Sequence, residues 1–384
     1  MVRYLTIERV DSPRDRKSFV RFPYRLYRDD PYWVPPLTGE ALEAITPEKN
    51  GWFSHASAQL FVARERGRVV GRISAHIDTL ALTMPPEQGF GPGVGQWGLM
   101  EAEREDIFLA LLARAEDWLR EQGMTRALGP VSMSIWEEPG LLVQGFDQSP
   151  TILMGHARPE YRPWIERAGY AEVKRLLTFE LDVTREFPKI VQRIIKAGNA
   201  DPRIRVRDTD KSRFDEEAAI ILAILNDAWS SNWGFVPLTE PEIRDVGKKL
   251  KPLVFNDLIQ IAELDGEPVA FMITLPDLNE ALKRLNGSLL PFGWLKLAWW
   301  LRKPKVRTMR VPLMGVASRL QNSRLAAQLA FMMIENTRRA AVANYGATRA
   351  EIGWVLEDNQ GMRSVAETVR GVLNKAYVIY GKSL

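Results

Sequence analysis

The sequence predicts an α/β (α+β) protein built as two tandem copies of one unit, each with a mixed central sheet. Three observations carry that expectation. The chain has 384 residues, which suits two domains of about 200 residues better than one. A hairpin pattern occurs twice. Two β-rich runs around Gly67, within Leu60 to Ile73, match Ile261 to Ala270 around Gly266 at a constant offset of 199 residues, aligning Ala63 with Ala262 and Val70 with Val269. Further on, Trp164 to Tyr170 precedes a last strand, Arg175 to Leu181, much as Ala366 to Val372 precedes Ala376 to Tyr380. Here Gly169 matches Gly371 at an offset of 202, and two such similar offsets point to duplication.

Taken in order, Met1 to Glu8 reads as a strand and lacks the apolar core of a signal peptide. Arg14 to Arg28 reads as a helix ending at the turn signal Asp29-Asp30-Pro31. Tyr32 to Leu37 then runs extended, because proline restricts itself and its predecessor; it reads as a docked loop or a lid. Past the first hairpin, Gly91 to Gly95 leads into a strand, Gln96 to Met100. An acidic helix start, Glu101 to Asp106, opens an amphipathic helix with an apolar face of Phe108, Leu111, Leu112, Ala115, Trp118 and Leu119. The first half holds an extra segment around Ser132 to Gly155. We place the boundary within Asp182 to Asp201, giving domains 1–190 and 191–384. The second half carries its own insertion, Leu278 to Lys305, before a strand from Val311 to Val316, the turn Ser318 to Arg324 and a long helix. Near the end, Ala350 to Leu356 leads into Glu357-Asp358-Asn359 and another helix. Open α/β sheets hold ligands where strands stop and helices begin, so these two junctions are expected to face one cleft.

Composition narrows the chemistry. The absence of cysteine excludes disulfides, thiolate metal sites and a cysteine nucleophile, and points to a cytoplasmic address. A formal charge of +4 favours acidic small molecules, anionic lipid surfaces or RNA without choosing among them. The three histidines, His55, His76 and His156, are scattered without metal-ligand spacing, so no metal is expected. No run reaches the roughly 20 apolar residues that span a bilayer.

Each half thus reads strand, helix, hairpin, strand, long helix, strand, helix, strand. That order resembles the GNAT family of acyl-CoA N-acyltransferases. The resemblance implies two tandem GNAT-like domains, with acyl-CoA as co-substrate and no permanently bound cofactor. In that family a Gln/Arg-x-x-Gly-x-Gly/Ala loop aims helix N-terminal amides at the pyrophosphate. The matching stretch here is Gln321-Asn322-Ser323-Arg324-Leu325-Ala326, where Arg324 replaces the first glycine. Val316, Arg319, Gln321, Asn322, Ser323, Arg324 and Leu325 are therefore the residues that the resemblance assigns to the acyl donor. In the first half the acidic helix start would repel a pyrophosphate, so that half is expected to be a degenerate scaffold.

A closer resemblance covers nearly the whole chain. The runs Phe22 to Tyr27, Asp30 to Pro36, Gly71 to Asp78, Gly140 to Asp147 and Trp354 to Asn359 look like the YghO-type group of bacterial GNAT-like proteins, to which bacterial ceramide synthases belong. The chain departs from that group's Gly-Phe-Phe-Glu type strand, reading Gln96-Trp97-Gly98-Leu99-Met100-Glu101. The resemblance implies transfer of a fatty acyl group to the amine of a long-chain base such as a sphingoid base, with acyl-CoA and an amine lipid as partners and no nucleic acid.

An amine must lose a proton to attack a thioester, the oxyanion wants a donor and the leaving thiolate wants an acid. Glu351 and Glu357 are the carboxylates nearest the expected cleft, and in a continuous strand they would share one face. Asn359 either orients substrate or caps the next helix. Tyr377 is the candidate acid, with a buried structural tyrosine as its plain alternative, and His55 and His156 are the remaining candidate bases. The insertion from Leu289 to Leu301, rich in Trp and followed by Arg302 to Arg307, has the make-up of an interfacial segment. Phe292, Trp294, Trp299 and Trp300 are its expected contacts with the inner face of the cytoplasmic membrane; a docked helix filling the core between domains is the other reading. Two rival functions share the fold: an aminoacyl-tRNA-dependent transferase, and an inactive lipid-binding protein.

Overall fold

The computed structural model describes residues 5–384, so the first four residues of the predicted N-terminal strand lie outside the described residues. The first half runs β1 (Leu5–Arg9), α1 (Pro13–Leu26) and α2 (Thr38–Ala44), then the hairpin β2 (Ala56–Glu65) and β3 (Arg68–Asp78). It continues through β4 (Val94–Ala102), α3 (Glu105–Glu121) and β5 (Arg126–Gly129) into a finger of three short strands, β6 (Val131–Ser132), β7 (Glu138–Pro139) and β8 (Leu141–Gln144). It closes with α4 (Tyr161–Arg167) and β9 (Ala171–Asp182). The second half opens with α5 (Lys189–Asn199), β10 (Ile204–Asp208), α6 (Phe214–Trp229) and α7 (Glu240–Leu250), followed by the hairpin β11 (Ile259–Leu264) and β12 (Glu267–Pro276). The insertion forms α8 (Asn279–Leu282) and α9 (Gly293–Arg302); then come β13 (Thr308–Val316), α10 (Arg324–Ala340), β14 (Arg349–Leu356), α11 (Gln360–Thr368) and β15 (Val372–Ser383).

Twelve strands join in one continuous sheet in the order β1-β2-β3-β4-β5-β15-β9-β14-β13-β12-β11-β10, with β8 paired onto β15, while β6 and β7 pair apart as a two-stranded sheet. This order reads almost identically from either end, with the last strands exchanged: β15 lies beside β5 of the first half, and β9 beside β14 of the second. The exchange carries core with it. Tyr377 to Tyr380 sit in the apolar cluster built around Trp97, Phe108 and Leu111, whereas Phe179, Leu181 and Phe187 sit with Met309, Leu329 and Ile352. Each half therefore completes its sheet with the other's last strand. Among the described residues the outer edges on this path are β1 and β10, both short and charged, which discourages edge-to-edge association.

The long helices form as their apolar spacing dictates. In α3 the buried stripe of Ile107, Phe108, Leu111, Leu112, Ala115, Trp118 and Leu119 follows the 3.6-residue period and lies on the first half of the sheet. Its equivalent, α10, buries Leu329, Phe331, Met333 and Ile334, and Ser323 caps its start by accepting the amide of Ala326 at 3.1 Å.

Candidate active site

Parallel pairing between β13 and β14 covers only Thr308 to Val311 against Arg349 to Ile352. Beyond that point the two strands separate into a wedge. A bulge in β13 between its Arg310 and Leu313 pairings with β12 places Pro312, which has no amide to donate, where the ladder is interrupted. On the other side β14 shifts register against β9 at Gly353, whose φ is 145°; a Cβ there would lie 2.7 Å from the Leu177 carbonyl. The wedge is a narrow cleft open to solvent, with a cavity of about 40 Å³, lined by Val311, Met314, Ile352, Trp354, Leu356 and Met362 with Trp229 as a wall. The Trp229 ring lies 6.0 Å from both Trp354 and Trp136, the latter carried by the first-half finger. An apolar chain entering here is flanked by aromatic faces.

The corresponding wedge in the first half is filled. Pairing of β4 with β5 stops at Gln96 and Leu128, and the finger lies directly on β4: a Cβ on Gly98 would stand 2.1 Å from the Val131 carbonyl oxygen. Trp97 is wholly buried in the same place.

The stretch that sequence assigned to the acyl donor leads away from the open wedge. Val316 ends β13. Gln321 donates to the carbonyls of Val316 and Ala228, fixing the turn, and Ser318 ties it to α6 through Asp227. Asn322 takes a left-handed conformation with φ 60°, and Arg319 pairs with Glu267. Arg324 is exposed, and among the described residues neither its guanidinium nor the amides of Arg324 and Leu325 have an acceptor. Arg324 adds a charge to the helix N-terminus where a glycine would have left bare backbone.

At the closed end of the wedge lies a buried polar cluster. Arg310 and Glu351 are register partners on adjacent strands. Glu351 has no solvent exposure and accepts from Thr151 (2.6 Å), Asn374 (2.7 Å) and Lys375, itself fully buried. Burial acts to raise the Glu351 pKa, but Lys375 and Arg310 outweigh it and hold the carboxyl below its ordinary range. A carboxylate so held is a poor proton acceptor. Arg310 donates to the Glu351 carbonyl and contacts the Met154 sulfur, while its Nε has no acceptor.

The other sequence candidates scatter. Glu357 does not share a face with Glu351, because the register shift between Ile352 and Val355 reverses the alternation; its carboxylate accepts from the Arg175 amide at 3.3 Å. Asn359 lines the wedge and caps α11, accepting from Met362 N at 3.0 Å. Tyr377 is fully buried outside the wedge lining; it donates to the Gly155 carbonyl at 3.2 Å, and burial followed by the Glu351 charge pushes its pKa well up. His55 lies elsewhere, clamped between Asp78 (2.9 Å) and Glu242 (3.1 Å), so it bridges the halves with both ring nitrogens engaged. His156 pairs with Asp30 at 2.8 Å.

Sequence reasoning missed Asp277, at the end of β12. Its Oδ1 accepts from the amides of Ile152 (2.9 Å) and Asn279 (3.2 Å), and it shares the field of Arg310 and Glu351. Burial lifts its pKa to about 7, against the pull of the two amides. No local pattern marks it; its burial comes from the strap of residues 150–156, distant in sequence. Glu101, expected to open an acidic helix, instead lies in β4, with α3 starting at Glu105, and is likewise buried. It accepts from Tyr27 (2.7 Å) and Tyr161 (2.8 Å), and burial raises its pKa to about 7 although Arg72 opposes.

Glu101 makes a prediction about stability. Its folded pKa is raised from 4.5, so the folded state keeps a proton that the unfolded chain has already lost. The stability it contributes is full below about pH 4.5 and is lost as pH rises to about 7, on the order of 3 kcal/mol. Urea titrations at pH 5 and pH 8 should show that loss in the wild type and a smaller one in Glu101→Gln. Equal slopes in the two proteins would refute it.

The sheet with its exchanged last strands and a single open wedge can be set against known structures. A tandem GNAT protein from the clavulanic acid biosynthesis pathway superposes with a TM-score of 0.57 at 12% identity, covering 99% of this chain and 98% of that one. A GCN5-related N-acetyltransferase from Sphaerobacter thermophilus gives 0.53 at 11% identity, covering 99% and 95%. The fold is therefore that of the tandem GNAT proteins. No family model matches the chain. Two relatives align over nearly its whole length. The protein named bacterial ceramide synthase from Caulobacter vibrioides is 43% identical over 381 residues, 99% of this chain and 98% of the relative. Protein YghO from Escherichia coli is 40% identical over 379 residues, 97% and 94%. The chain belongs to the family of these two proteins and is an N-acyltransferase.

Proposed function

We propose that the protein transfers a fatty acyl group from acyl-CoA to the amine of a long-chain base, forming a ceramide-type amide. The observation that carries this reading is the apolar wedge between β13 and β14, which is open to solvent while the first-half wedge is filled. The donor's pyrophosphate meets the Arg324 and Leu325 amides with the Arg324 guanidinium, and its acyl chain lies among Trp229, Trp354 and Met314. The amine comes to the sheet face bearing Arg310 and Asp277. It arrives as an ammonium, and Asp277 takes the proton, directly or through water. The free nitrogen attacks the thioester carbonyl, the oxyanion draws on the unpartnered Arg310 Nε–H, and the carbon–sulfur bond breaks. As that bond breaks, the nitrogen gives up its second proton and the departing thiolate takes it up, leaving amide and free thiol. Direct attack needs no covalent enzyme intermediate, in keeping with a chain that has no cysteine. With amphiphilic substrates on both sides, the enzyme works beside the cytoplasmic face of a membrane, although no described helix is long and apolar enough to cross one.

Purified protein incubated with a long-chain acyl-CoA and sphinganine should yield the N-acyl product by mass spectrometry, together with one equivalent of free thiol. A folded protein that makes no amide from any long-chain base would end this reading.

A further inference from the structure

Among the described residues, eleven large apolar side chains are exposed, and five of them fall between residues 290 and 299. Leu290, Phe292, Trp294, Leu295 and Trp299 are between 47 and 78% exposed. This concentration is not the scatter of single apolar residues that any surface shows. The helix is held by its opposite stripe: Leu297 packs with Val34, Leu37 and Leu282, whereas Trp300 and Leu301 pack with Ile152, Leu253 and Leu275. Trp300, expected from sequence to contact a membrane, is thus turned inward. The spacing of 297, 300 and 301 against 295 and 299 gives α9 two apolar faces, only one of which has a partner.

Charge identifies what covers the other face. Lys296, Arg302 and Lys303 are exposed around the patch and have no ion-pair partner among the described residues. No acidic residue occurs between Glu280 and Glu335 to oppose them. A second copy of the same face would meet unopposed like charge, which disfavours self-association. Trp, Phe and Leu flanked by unpaired cations suit a bilayer with anionic headgroups, where the rings enter the interface and the cations meet phosphates.

The position of the patch ties it to the site. Two residues after Asp277, Asn279 starts α8 and donates to the Pro150 carbonyl at 2.9 Å; Lys283 reaches Ser149 at 3.0 Å and the Pro31 carbonyl. Thr38 N donates to the Gly287 carbonyl at 3.1 Å. The α8–α9 platform is therefore fastened to the 31–38 loop of the first half and to the strap that covers Asp277.

We propose that the outer face of α9, through Phe292, Trp294, Leu295 and Trp299 with Lys296, Arg302 and Lys303, docks the protein on anionic lipid bilayers. An amine lipid leaving that surface passes between the platform and the strap toward Asp277. The delivery step rests on the acyltransfer reading, whereas the docking stands without it.

The test uses the full chain and flotation with vesicles of equal parts phosphatidylglycerol and phosphatidylcholine, against pure phosphatidylcholine. Wild-type protein should bind the anionic vesicles at least roughly tenfold better, with binding falling as salt rises. Removing three cations in Lys296→Gln/Arg302→Gln/Lys303→Gln should weaken it on the order of a hundredfold. Leu295→Ser/Trp299→Ser should weaken it roughly tenfold or more. Circular dichroism should be unchanged, because the altered side chains point outward. Both variants should keep wild-type rates on short-chain, monomeric substrates, so lost docking and lost chemistry are read separately. Wild-type protein that ignores anionic vesicles, or variants that bind them as wild type does, would overturn the proposal. So would a dimer in sedimentation that dissociates in the Leu295→Ser/Trp299→Ser variant, since the face would then belong to a second copy.

Discussion

Glu351→Gln is expected to lower the unfolding free energy by about 3–5 kcal/mol, because it leaves the Lys375 ammonium fully buried without its counter-charge. The amide keeps the shape, and with its one oxygen turned to Asn374 and Lys375 its NH2 faces Thr151, whose hydroxyl can turn to accept, so the loss reports chiefly charge and not packing. Lys375→Met alone should cost a similar amount by stranding Glu351. Glu351→Leu with Lys375→Met removes both charges together and should recover much of the loss, since contacting partners are not additive. The linkage has a definite sign. The folded Glu351 pKa is lowered, so its stabilisation is present above the unfolded pKa and disappears as pH falls through the folded one. Urea denaturation at pH 7 of the two single variants and the double variant separates a structural ion pair from a catalytic base. A Glu351→Gln protein as stable as wild type but inactive would return Glu351 to the chemistry.

The same residue shows what was legible beforehand. Hairpins, amphipathic helices and the duplicated order are written in local spacing, and β2–β3, β11–β12, α3 and α10 lie where that spacing puts them. The neighbours of β9 and β15 are not written locally. Both read as strands, yet nothing in either run says that β15 belongs beside β5, so the exchange that knits the halves was invisible. Counting by twos put Glu351 and Glu357 on one face, and a single register shift at Gly353 undid the count. His55 looked reactive in its Phe-Ser-His setting until Asp78 and Glu242 came in from distant elements to occupy both nitrogens. Asp277 sat at the border of a segment conspicuous for tryptophan and drew no notice. Its environment is assembled by Ile152 and Arg310, and a carboxyl's chemistry is set by such neighbours more than by its own sequence context.

Asp277→Asn is therefore the decisive substitution for the chemistry, with kcat expected to fall by about 10²–10⁴-fold. Asparagine keeps an oxygen for the amides of Ile152 and Asn279, so the strap stays in place and the fold is retained. The wild-type carboxyl, lifted by burial to about 7, is half ionised near neutrality. As the proton acceptor it must be ionised, so kcat/KM should rise with pH through about 7, and that rise should vanish in the asparagine variant. Stability should move the opposite way. The folded pKa is raised from 3.8, so the folded state is penalised as pH rises through 7, and the asparagine variant escapes that penalty and should unfold at higher urea than wild type at pH 8. A loss of rate together with a gain of stability is what a buried base should give and what a merely structural carboxyl should not. A variant with wild-type turnover, or a wild-type rate profile flat across pH 6 to 8, would remove Asp277 from the reaction and leave Arg310 and the wedge to be matched with another acceptor.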